Sequence, residues 1–363
     1  MKFYQSLTIF WFVLSVSVQG METNLIDEVE DEEMGRPWMI SPLFVMNPAF
    51  GNGLGAVGMY FFQPDANDSV SPASTVGISG LYSDTDSHFV GLFAKMFLKE
   101  DHWRVAGGLV NGKINNEFDI DGFNQTVEFA SSVSAVFARA DRRMTDNFFL
   151  GAQAGVVDIS YIEGNDASKI YFDLLNVEDN LSGQFAIIGF HDSRDDVRYP
   201  ENGNYSEANL TFVPEWLGSV EGYQALELFA NQYFSTGFRQ VTALRAYGRF
   251  TPSNTPYSGL SSLGRRSDLR GYTSGEHLAE NLIALQAEYR WFFTKRIGAV
   301  GFAGVSELYN GSIKNINEDT FYPSAGLGFR FVLNEENNMN FRFDYAWGSR
   351  DERGFYIGVG ESF

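Results

Sequence analysis

A strict two-residue alternation of apolar and polar side chains marks the carboxy-terminal third of the chain. Within 339–348 the odd positions are large and apolar, whereas the even positions include Arg342 and Asp344. Because successive side chains of a β-strand point to opposite faces, this pattern predicts strands with one apolar and one polar face. Segments 282–293 and 321–333 repeat it and carry aromatic residues near their ends. We interpret these ends as girdles at two membrane interfaces, which a soluble β-sandwich would rarely show.

Segments of about ten residues, the length of a tilted transmembrane strand, follow one another from Trp38 onward. An even number of strands lets both ends of a barrel lie in the periplasm, with longer loops after odd strands. The two longest gaps, 160–181 and 251–281, both follow odd strands. The sequence therefore predicts an all-β, antiparallel transmembrane barrel of about sixteen strands in the bacterial outer membrane. The predicted spans are 38–47, 53–63, 72–83, 87–98, 101–115, 125–139, 145–159, 182–193, 203–214, 222–234, 237–250, 282–293, 296–306, 321–333, 337–348 and 353–362.

Composition agrees with a barrel and excludes several function classes. The chain has 34 Phe, 17 Tyr, 6 Trp and 37 Gly, which suits walls that alternate between lipid and water. Cysteine is absent, so disulfides, thiolate zinc sites and thiol nucleophiles are excluded. The net charge of -20 argues against a nucleic-acid partner. The four histidines are scattered without metal-ligand spacing, and we predict neither a metal site nor a cofactor.

The amino-terminal region predicts export. Residues 1–20 combine a positive start, an apolar run and small residues near a cleavage site, which indicates a signal peptide, with an uncleaved anchor as the alternative. Residues 21–36 carry seven acidic side chains and are predicted to be a disordered periplasmic leader. Residues 37–363 would then form the barrel domain.

Residues 251–281 form a connection too long to be idle packing in a compact fold. It contains Arg270, Gly271 and Tyr272, preceded by Leu269. This Leu-Arg-Gly-Tyr stretch resembles the Arg-Gly-Tyr/Phe signature of the BamA/TamA outer-membrane superfamily, which includes the bacterial surface antigen barrel. In that family the signature lies on the loop between strands eleven and twelve, where our strand count also places it. The resemblance implies a loop folded into the barrel lumen.

An arginine in a partly dry lumen needs a counter-charge, because an unpaired buried charge costs several kcal/mol. The family places an acidic residue on strand thirteen, but Gly304 stands at the matching position here. Asp344 and Glu288 have inward parity on neighbouring strands, whereas Glu307 has outward parity. We expect Arg270 to pair with Asp344 or Glu288 and to lock the loop inside the barrel. The alternative is an exposed loop arginine.

A second resemblance lies between predicted strands eight and nine. Asp192, Arg194 and Asp195, followed by Pro200 and Gly203, resemble the family's Asp-x-Arg-Asp and Pro-x-x-Gly stretches at that periplasmic turn. Proline presets φ and glycine permits positive φ, so both residue types suit a turn.

A third resemblance is the last predicted strand, which runs toward the aromatic carboxy-terminus Phe363. It resembles the signal that the barrel-assembly machinery reads in its clients, and it implies that machinery as a partner during biogenesis. Gly358 and Gly360 weaken the ladder of this strand and make a loosely closed seam with strand one plausible. Simple packing in the lumen explains these glycines equally well.

The resemblance implies a non-enzymatic barrel, in contact with outer-membrane lipid, that assists insertion or transport of an outer-membrane client. Family members that do so carry POTRA domains, and we expect none in this chain. One alternative is a passive or gated channel for an unknown solute, plugged by the 251–281 loop and tuned by Arg290, Arg330 and Arg342. A lipolytic barrel using His191 and Ser193 is a minor alternative, because no Gly-x-Ser-x-Gly elbow exists.

Overall fold

The computed structural model describes residues 37–47, 51–119, 126–175, 179–196, 199–219, 221–256, 259–264, 268–272, 277–313, 320–334, 339–349 and 352–363. The predicted signal peptide and acidic leader lie outside these residues.

Sixteen strands, numbered β1 to β16, form one antiparallel sheet in chain order, which confirms the predicted fold class. Their bounds are Trp38–Asn47, Gly51–Phe62, Ser74–Ser83, His88–Leu98, Trp103–Asp119, Thr126–Arg143, Phe148–Glu163, Asn180–Asp192, Gly203–Val213, Tyr223–Gly237, Gln240–Phe250, Asn281–Phe292, Ile297–Tyr309, Phe321–Asn334, Met339–Trp347 and Arg353–Val359. A two-residue ladder, Ser261–Ser262 with Leu278–Ala279, lies in the connection between β11 and β12.

The sheet curls into a nearly closed barrel. Cα atoms of β1 and β16 approach within 8 Å, so the two ends of the sheet lie side by side. Among the described residues, ladder pairs join every consecutive strand from β1 to β16 but none joins β16 to β1. This line of contact without pairing is called the seam below.

Alternation along the strands sorts side chains between the two sides of the wall. On β12, Leu285 and Trp291 are 52% and 47% exposed, whereas Gln286, Glu288 and Arg290 are buried. Large apolar side chains on the outside and buried polar ones inside would be unfavourable in water, but they suit a wall between lipid and a packed lumen. No helix among the described residues is long and apolar enough to span a membrane.

Strands β5 to β7 run beyond the predicted spans, and a helix, α1 (Asp166–Leu175), follows them within the predicted loop 160–181. Asn165 caps this helix: its Oδ1 accepts the N–H of Ser168, and the Ser168 hydroxyl accepts the N–H of Asn165. The Phe172 ring packs edge-on against Phe129, at 5.2 Å between centroids. The helix thus caps the extended part of these strands by burying its apolar face.

The prediction that the last strand extends over 353–362 is wrong at its carboxyl end. β16 ends at Val359, and Gly360 has a φ of +79°, a conformation that turns the chain out of the ladder. Glu361 and Phe363 are then 0% and 2% exposed. The last residues are therefore buried inside the wall and do not continue along the seam.

Candidate functional site

The described residues of the β11–β12 connection pack against the buried face of the barrel wall. Leu263, Leu269 and Tyr272 belong to one buried cluster with side chains of the neighbouring strands. The wall members of that cluster are Tyr247 on β11, Leu282 and Ala284 on β12, Leu308 on β13 and Tyr322 on β14. Apolar burial therefore contributes to holding this loop, in addition to its charged contacts. Residues 257–258, 265–267 and 273–276 of the loop lie outside the described residues.

Gly304 on β13 provides the space for Leu269. A Cβ atom at position 304 would lie 2.6 Å from Leu269 Cδ1, far inside van der Waals contact. The same Cβ would also lie 2.6 Å from the backbone oxygen of Leu285. An acidic side chain at this position is therefore incompatible with the observed packing, and the counter-charges for the loop arginine come from other strands.

Arg270 bridges the two carboxylates that inward parity singled out. Its Nη1 lies 2.6 Å from Asp344 Oδ2 on β15, and its Nη2 lies 2.6 Å from Glu288 Oε2 on β12. The Arg270 side chain is 2% exposed and both carboxylates are 0% exposed. Its Cζ also lies 3.5 Å from the centroid of the Phe302 ring, a cation–π contact. The sequence offered the two acids as alternatives, and the guanidinium contacts both.

Gly271 and Tyr272 extend the contacts of the loop to β14, β16 and the turn between β15 and β16. Gly271 has a φ of +108°, and its N–H donates to the Tyr356 hydroxyl on β16 at 2.8 Å. The Tyr272 hydroxyl donates to the backbone oxygen of Pro323 and accepts the N–H of Ser349 at 2.9 Å. The three residues of the family-like signature thus have distinct roles: a charge bridge, a tight backbone approach and a hydrogen-bonded ring.

Glu288 and Asp344 also belong to a larger arrangement, which we call the ion ring. Its six buried members alternate in charge, and each guanidinium contacts two carboxylates: Arg270, Asp344, Arg330, Glu361, Arg290 and Glu288. The nitrogen–oxygen distances beyond Arg270 are 2.5 Å for Arg330–Asp344, 2.7 Å for Arg330–Glu361, 3.7 Å for Arg290–Glu361 and 2.8 Å for Arg290–Glu288. Such pairing compensates the desolvation of six charges, because every member has two opposite neighbours.

Sequence reasoning missed Glu361 as a member of this ring. If β16 had continued past Val359 with regular alternation, the side chain of residue 361 would have faced the outer side of the wall. The positive φ of Gly360 reverses this direction. Asn340 adds a further contact, since its side-chain amide donates to Glu361 Oε1 at 2.9 Å. A regular alternation of apolar and polar residues contains no signal for such a turn.

The β8–β9 turn forms a second charged cluster. Arg194 makes a two-pronged contact with Asp192, at 2.8 Å and 2.9 Å, and stacks 4.5 Å over the Tyr205 ring. Asp195 Oδ1 accepts two backbone N–H groups of the turn. Gly203 has a φ of +104°, and a Cβ there would lie 2.2 Å from the Ser193 backbone oxygen.

The remaining predicted site residues take up the following positions. Pro200 is buried in the same turn. Phe363 lies off the sheet, with its ring 4.4 Å from Arg245 Cζ. His191 Nδ1 contacts Asn204 Oδ1 at 3.2 Å. No group of three or more His, Asp or Glu side chains that could hold a metal ion occurs in the described part of the chain.

The apolar outer wall, the buried polar inner wall and the sixteen-stranded ladder define a transmembrane β-barrel of the outer-membrane type. No protein-family model and no curated protein matches the sequence. Solved structures with this fold include BamA from Haemophilus ducreyi lacking POTRA domains 1-3, with a TM-score of 0.55 and 12% identity over 96% of this chain and 77% of that one.

Two structures of CdiB are also similar. CdiB from Escherichia coli has a TM-score of 0.64 and 13% identity, and CdiB from Acinetobacter baumannii has a TM-score of 0.61 and 12% identity. They match 91% and 90% of this chain, which spans only 63% and 60% of their own lengths. The resemblance to the BamA/TamA type of barrel is therefore confirmed at the level of the fold.

Proposed function

We propose that this chain is a non-enzymatic outer-membrane barrel that assists insertion or passage of a client polypeptide at the β1–β16 seam. In this proposal the β11–β12 loop lies inside the lumen, where Arg270 locks it to the wall. The similarity to BamA and CdiB supports the fold required, and the seam and the loop contacts support the mechanism.

The observation that carries the proposal is that, in the part of the chain that the structure describes, no ladder pair joins β1 to β16. Elsewhere in the sheet neighbouring strands are paired along most of their length, for example from Trp38↔Tyr60 to Asn47↔Gly51 between β1 and β2. Each net hydrogen bond contributes about 1 kcal/mol, and unpaired groups in lipid cost more. Separating β1 from β16 would therefore cost less free energy than separating any other pair of neighbouring strands. The edges exposed by that separation could pair with an incoming strand.

Contacts of the loop with the seam strand support a link between the two features. Gly271 donates to Tyr356 of β16, and Arg270 is connected to Glu361, just beyond β16, through the ion ring. Movement of β16 away from β1 would strain these contacts. The loop therefore can act as a support that keeps the seam strand in position until a client is bound.

Disulfide cross-linking of the seam tests the proposal, because the natural chain has no cysteine. A panel of cysteine pairs would combine Trp38 or Ile40 of β1 with Phe355 or Ile357 of β16, all of which have outward parity, in protein reconstituted in liposomes. We expect oxidation to stop assisted insertion of an unfolded eight-stranded outer-membrane protein and reduction to restore it. A matched pair, Leu327→Cys with Tyr345→Cys, joins directly paired residues of β14 and β15 and should have no effect. Equal insertion with the seam locked would reject the proposal.

A gated channel remains the second candidate, because one observation favours it: the loop and the buried arginines occupy the interior of the wall on the β11–β16 side. Deletion of 262–275 would then produce a large, steady conductance in planar bilayers with no change in client insertion. If the deletion alters insertion and leaves conductance small, the channel candidate fails.

A further inference from the structure

A cavity of about 500 Å³ lies inside the periplasmic mouth of the barrel. Phe292 on β12, Val332 on β14 and Asn340 on β15 line it, and all three side chains are buried on the inward face of the wall. The other lining residues come from turns that follow the even-numbered strands β8, β10 and β12, which face the periplasm in a barrel of this type. Water-soluble molecules can therefore reach the cavity from that compartment, whereas lipid lies on the opposite side of the wall.

The floor of the cavity is apolar and is formed where the β8–β9 turn folds over the mouth. Tyr199 of this turn belongs to one buried cluster with Val241 on β11, Phe292 and Val332. Its ring packs edge-on against the Phe292 ring, with 5.6 Å between the two centroids. Because β12 lies three strands beyond β9 in the sheet, this contact requires the turn to lean inward. The floor is thus packed from distant parts of the fold before any ligand arrives.

The β8–β9 turn also supplies an acidic wall, with Asp195, Asp196 and Glu201. Asp195 and Asp196 each accept backbone N–H groups of the turn, so these two carboxylates partly serve the turn itself. The Glu201 carboxylate has no ion-pair or hydrogen-bond partner among the residues that the structure describes. Burial, followed by repulsion from Asp195 and Asp196, raises the pKa of Glu201. A positive group placed beside this carboxylate would relieve that repulsion.

The next two periplasmic turns supply a basic wall, with Arg239 between β10 and β11 and Lys295 between β12 and β13. Backbone contacts hold the first turn, because the Phe292 N–H donates to the Arg239 backbone oxygen at 3.0 Å. The Thr294 hydroxyl holds the second by accepting the N–H of Ile297 at 2.9 Å. In the described part of the chain, no carboxylate forms an ion pair with either base. The cavity therefore keeps opposite charges apart across an apolar floor, without pairing them.

We propose that this cavity binds a short stretch of polypeptide in which a basic and an acidic group flank an apolar side chain. The basic group lies beside Glu201, and the acidic group lies beside Arg239 and Lys295. Because side chains alternate in an extended peptide, the central one can face the floor while the flanking ones point toward the charged rim. The volume falls within the range of ligand pockets in proteins.

The bound stretch can be a free peptide or a segment of an unfolded chain, since both present the same groups. The cavity lining includes no residue of β1 or β16. This site is therefore independent of the seam and of the proposed function, and either can fail without the other.

Calorimetric titration of the folded protein in a neutral detergent at low ionic strength tests the site. The probe is acetyl-Lys-Phe-Asp-amide, whose blocked ends leave only the two side-chain charges. We expect saturable binding that weakens as salt is added. Glu201→Gln should weaken binding roughly threefold to fivefold, because the ammonium group of the probe loses its opposite charge. Arg239→Gln combined with Lys295→Gln should weaken it by roughly the same factor, through the carboxylate of the probe.

Probes that lack one charge separate the two walls. Acetyl-Gln-Phe-Asp-amide should respond to loss of the two bases and not to Glu201→Gln, and acetyl-Lys-Phe-Asn-amide should show the reverse. Glycine in place of the central phenylalanine should weaken binding roughly tenfold, because contact with the apolar floor is lost. A second arm uses the same tripeptide within a flexible Gly-Ser chain. Equal affinity in this arm identifies a segment of an unfolded chain as a sufficient ligand, and binding of the short probe alone identifies a free peptide.

Asp146→Asn and Arg142→Gln remove one charge of each sign near the β6–β7 turn and are the matched controls, since both residues are exposed. Folding of every variant would be checked by its shift in electrophoretic migration on heating. If Glu201→Gln fails to fold, the variant of the two bases still tests the site. Lack of binding of the probe at millimolar concentration would overturn the proposal. So would equal weakening in the controls, an equal response of all charged probes to Glu201→Gln, or binding of dihexanoyl phosphatidylethanolamine in place of the peptide.

Discussion

Replacement of Arg270 by alanine should release the β11–β12 loop from the wall. Breaking a buried ion pair by removing one partner costs about 3–5 kcal/mol. Each carboxylate that faces Arg270 keeps another guanidinium, Arg290 beside Glu288 and Arg330 beside Asp344. We therefore expect the lower end of that range, about 3 kcal/mol. This free energy concerns docking of the loop more than folding of the barrel, because Arg270 belongs to the loop and both acids belong to the wall.

A single cysteine can report the docking, since the natural chain contains none. Ser262 lies in the loop and is 2% exposed, so Ser262→Cys gives a thiol that reacts only when the loop opens. When opening and closing are fast, the rate of alkylation follows the open fraction. A loss of about 3 kcal/mol then corresponds to roughly hundredfold faster labelling in Arg270→Ala. Arg270→Lys should give an intermediate rate, because one ammonium cannot reproduce a fork between two carboxylates.

Arg142→Ala removes an exposed arginine from β6 and should leave the labelling rate unchanged. Exchange of charges, Arg270→Glu with Asp344→Arg, should restore protection only in part, because the new glutamate would face Glu288. If Arg270→Ala labels at the rate of the parent protein, the two 2.6 Å contacts do not hold the loop and the reasoning is refuted.

Three further predictions concern other parts of the molecule. Gly304→Ala should speed alkylation of the Ser262→Cys reporter roughly tenfold, because the added Cβ would lie 2.6 Å from Leu269 Cδ1. Gly301→Ala is the control and should leave the rate unchanged, because its Cβ would meet its nearest atom at 3.9 Å. Equal rates in the two variants would contradict the packing argument. Glu361→Gln should lower the midpoint of thermal unfolding in detergent by several degrees, because two guanidinium groups of the ion ring each lose an opposite charge; an unchanged midpoint would show that the ring adds no stability. Burial raises the pKa of Asp68, but hydrogen bonds from Ser71 and from nearby backbone N–H groups outweigh burial and lower this pKa to about 2. The stabilisation of the 63–73 connection by the Asp68 carboxylate should therefore be complete above its ordinary pKa of 3.8 and be lost as the pH falls toward 2. A titration of this carboxyl group by NMR with a midpoint near 3.8 would disprove those hydrogen bonds.

The strands could be predicted from the sequence because one rule governs them. Wherever one wall faces lipid and the other a packed lumen, side chains must alternate, and a slip by one residue would place charges in lipid. The first predicted span, 38–47, coincides with β1, and the inward parity of Glu288 and Asp344 follows from the same rule. The helix α1 was not predicted, because the whole of 160–181 was predicted to be a loop.

Other features depend on contacts that no local pattern contains. The missing acid at Gly304 was visible, but the reason for it, the side chain of Leu269, requires knowing where the loop docks. The turn at Gly360 was not visible, because glycine is compatible with both a weak strand and a positive φ. Closure of the ion ring by Glu361 depends on the curvature of the whole sheet, which brings the end of the last strand beside β12 and β14.

The cyclic order of these charges has a consequence for how the loop leaves. A circle has no terminal member, so cutting it at one point produces an open chain in which every charge still touches an opposite one. Arg270 can therefore let go of Glu288 while it holds Asp344, and the released carboxylate remains neutralised by Arg290. The loop can therefore leave the wall by successive exchange of ion-pair partners, and no step leaves an unpaired charge buried away from water.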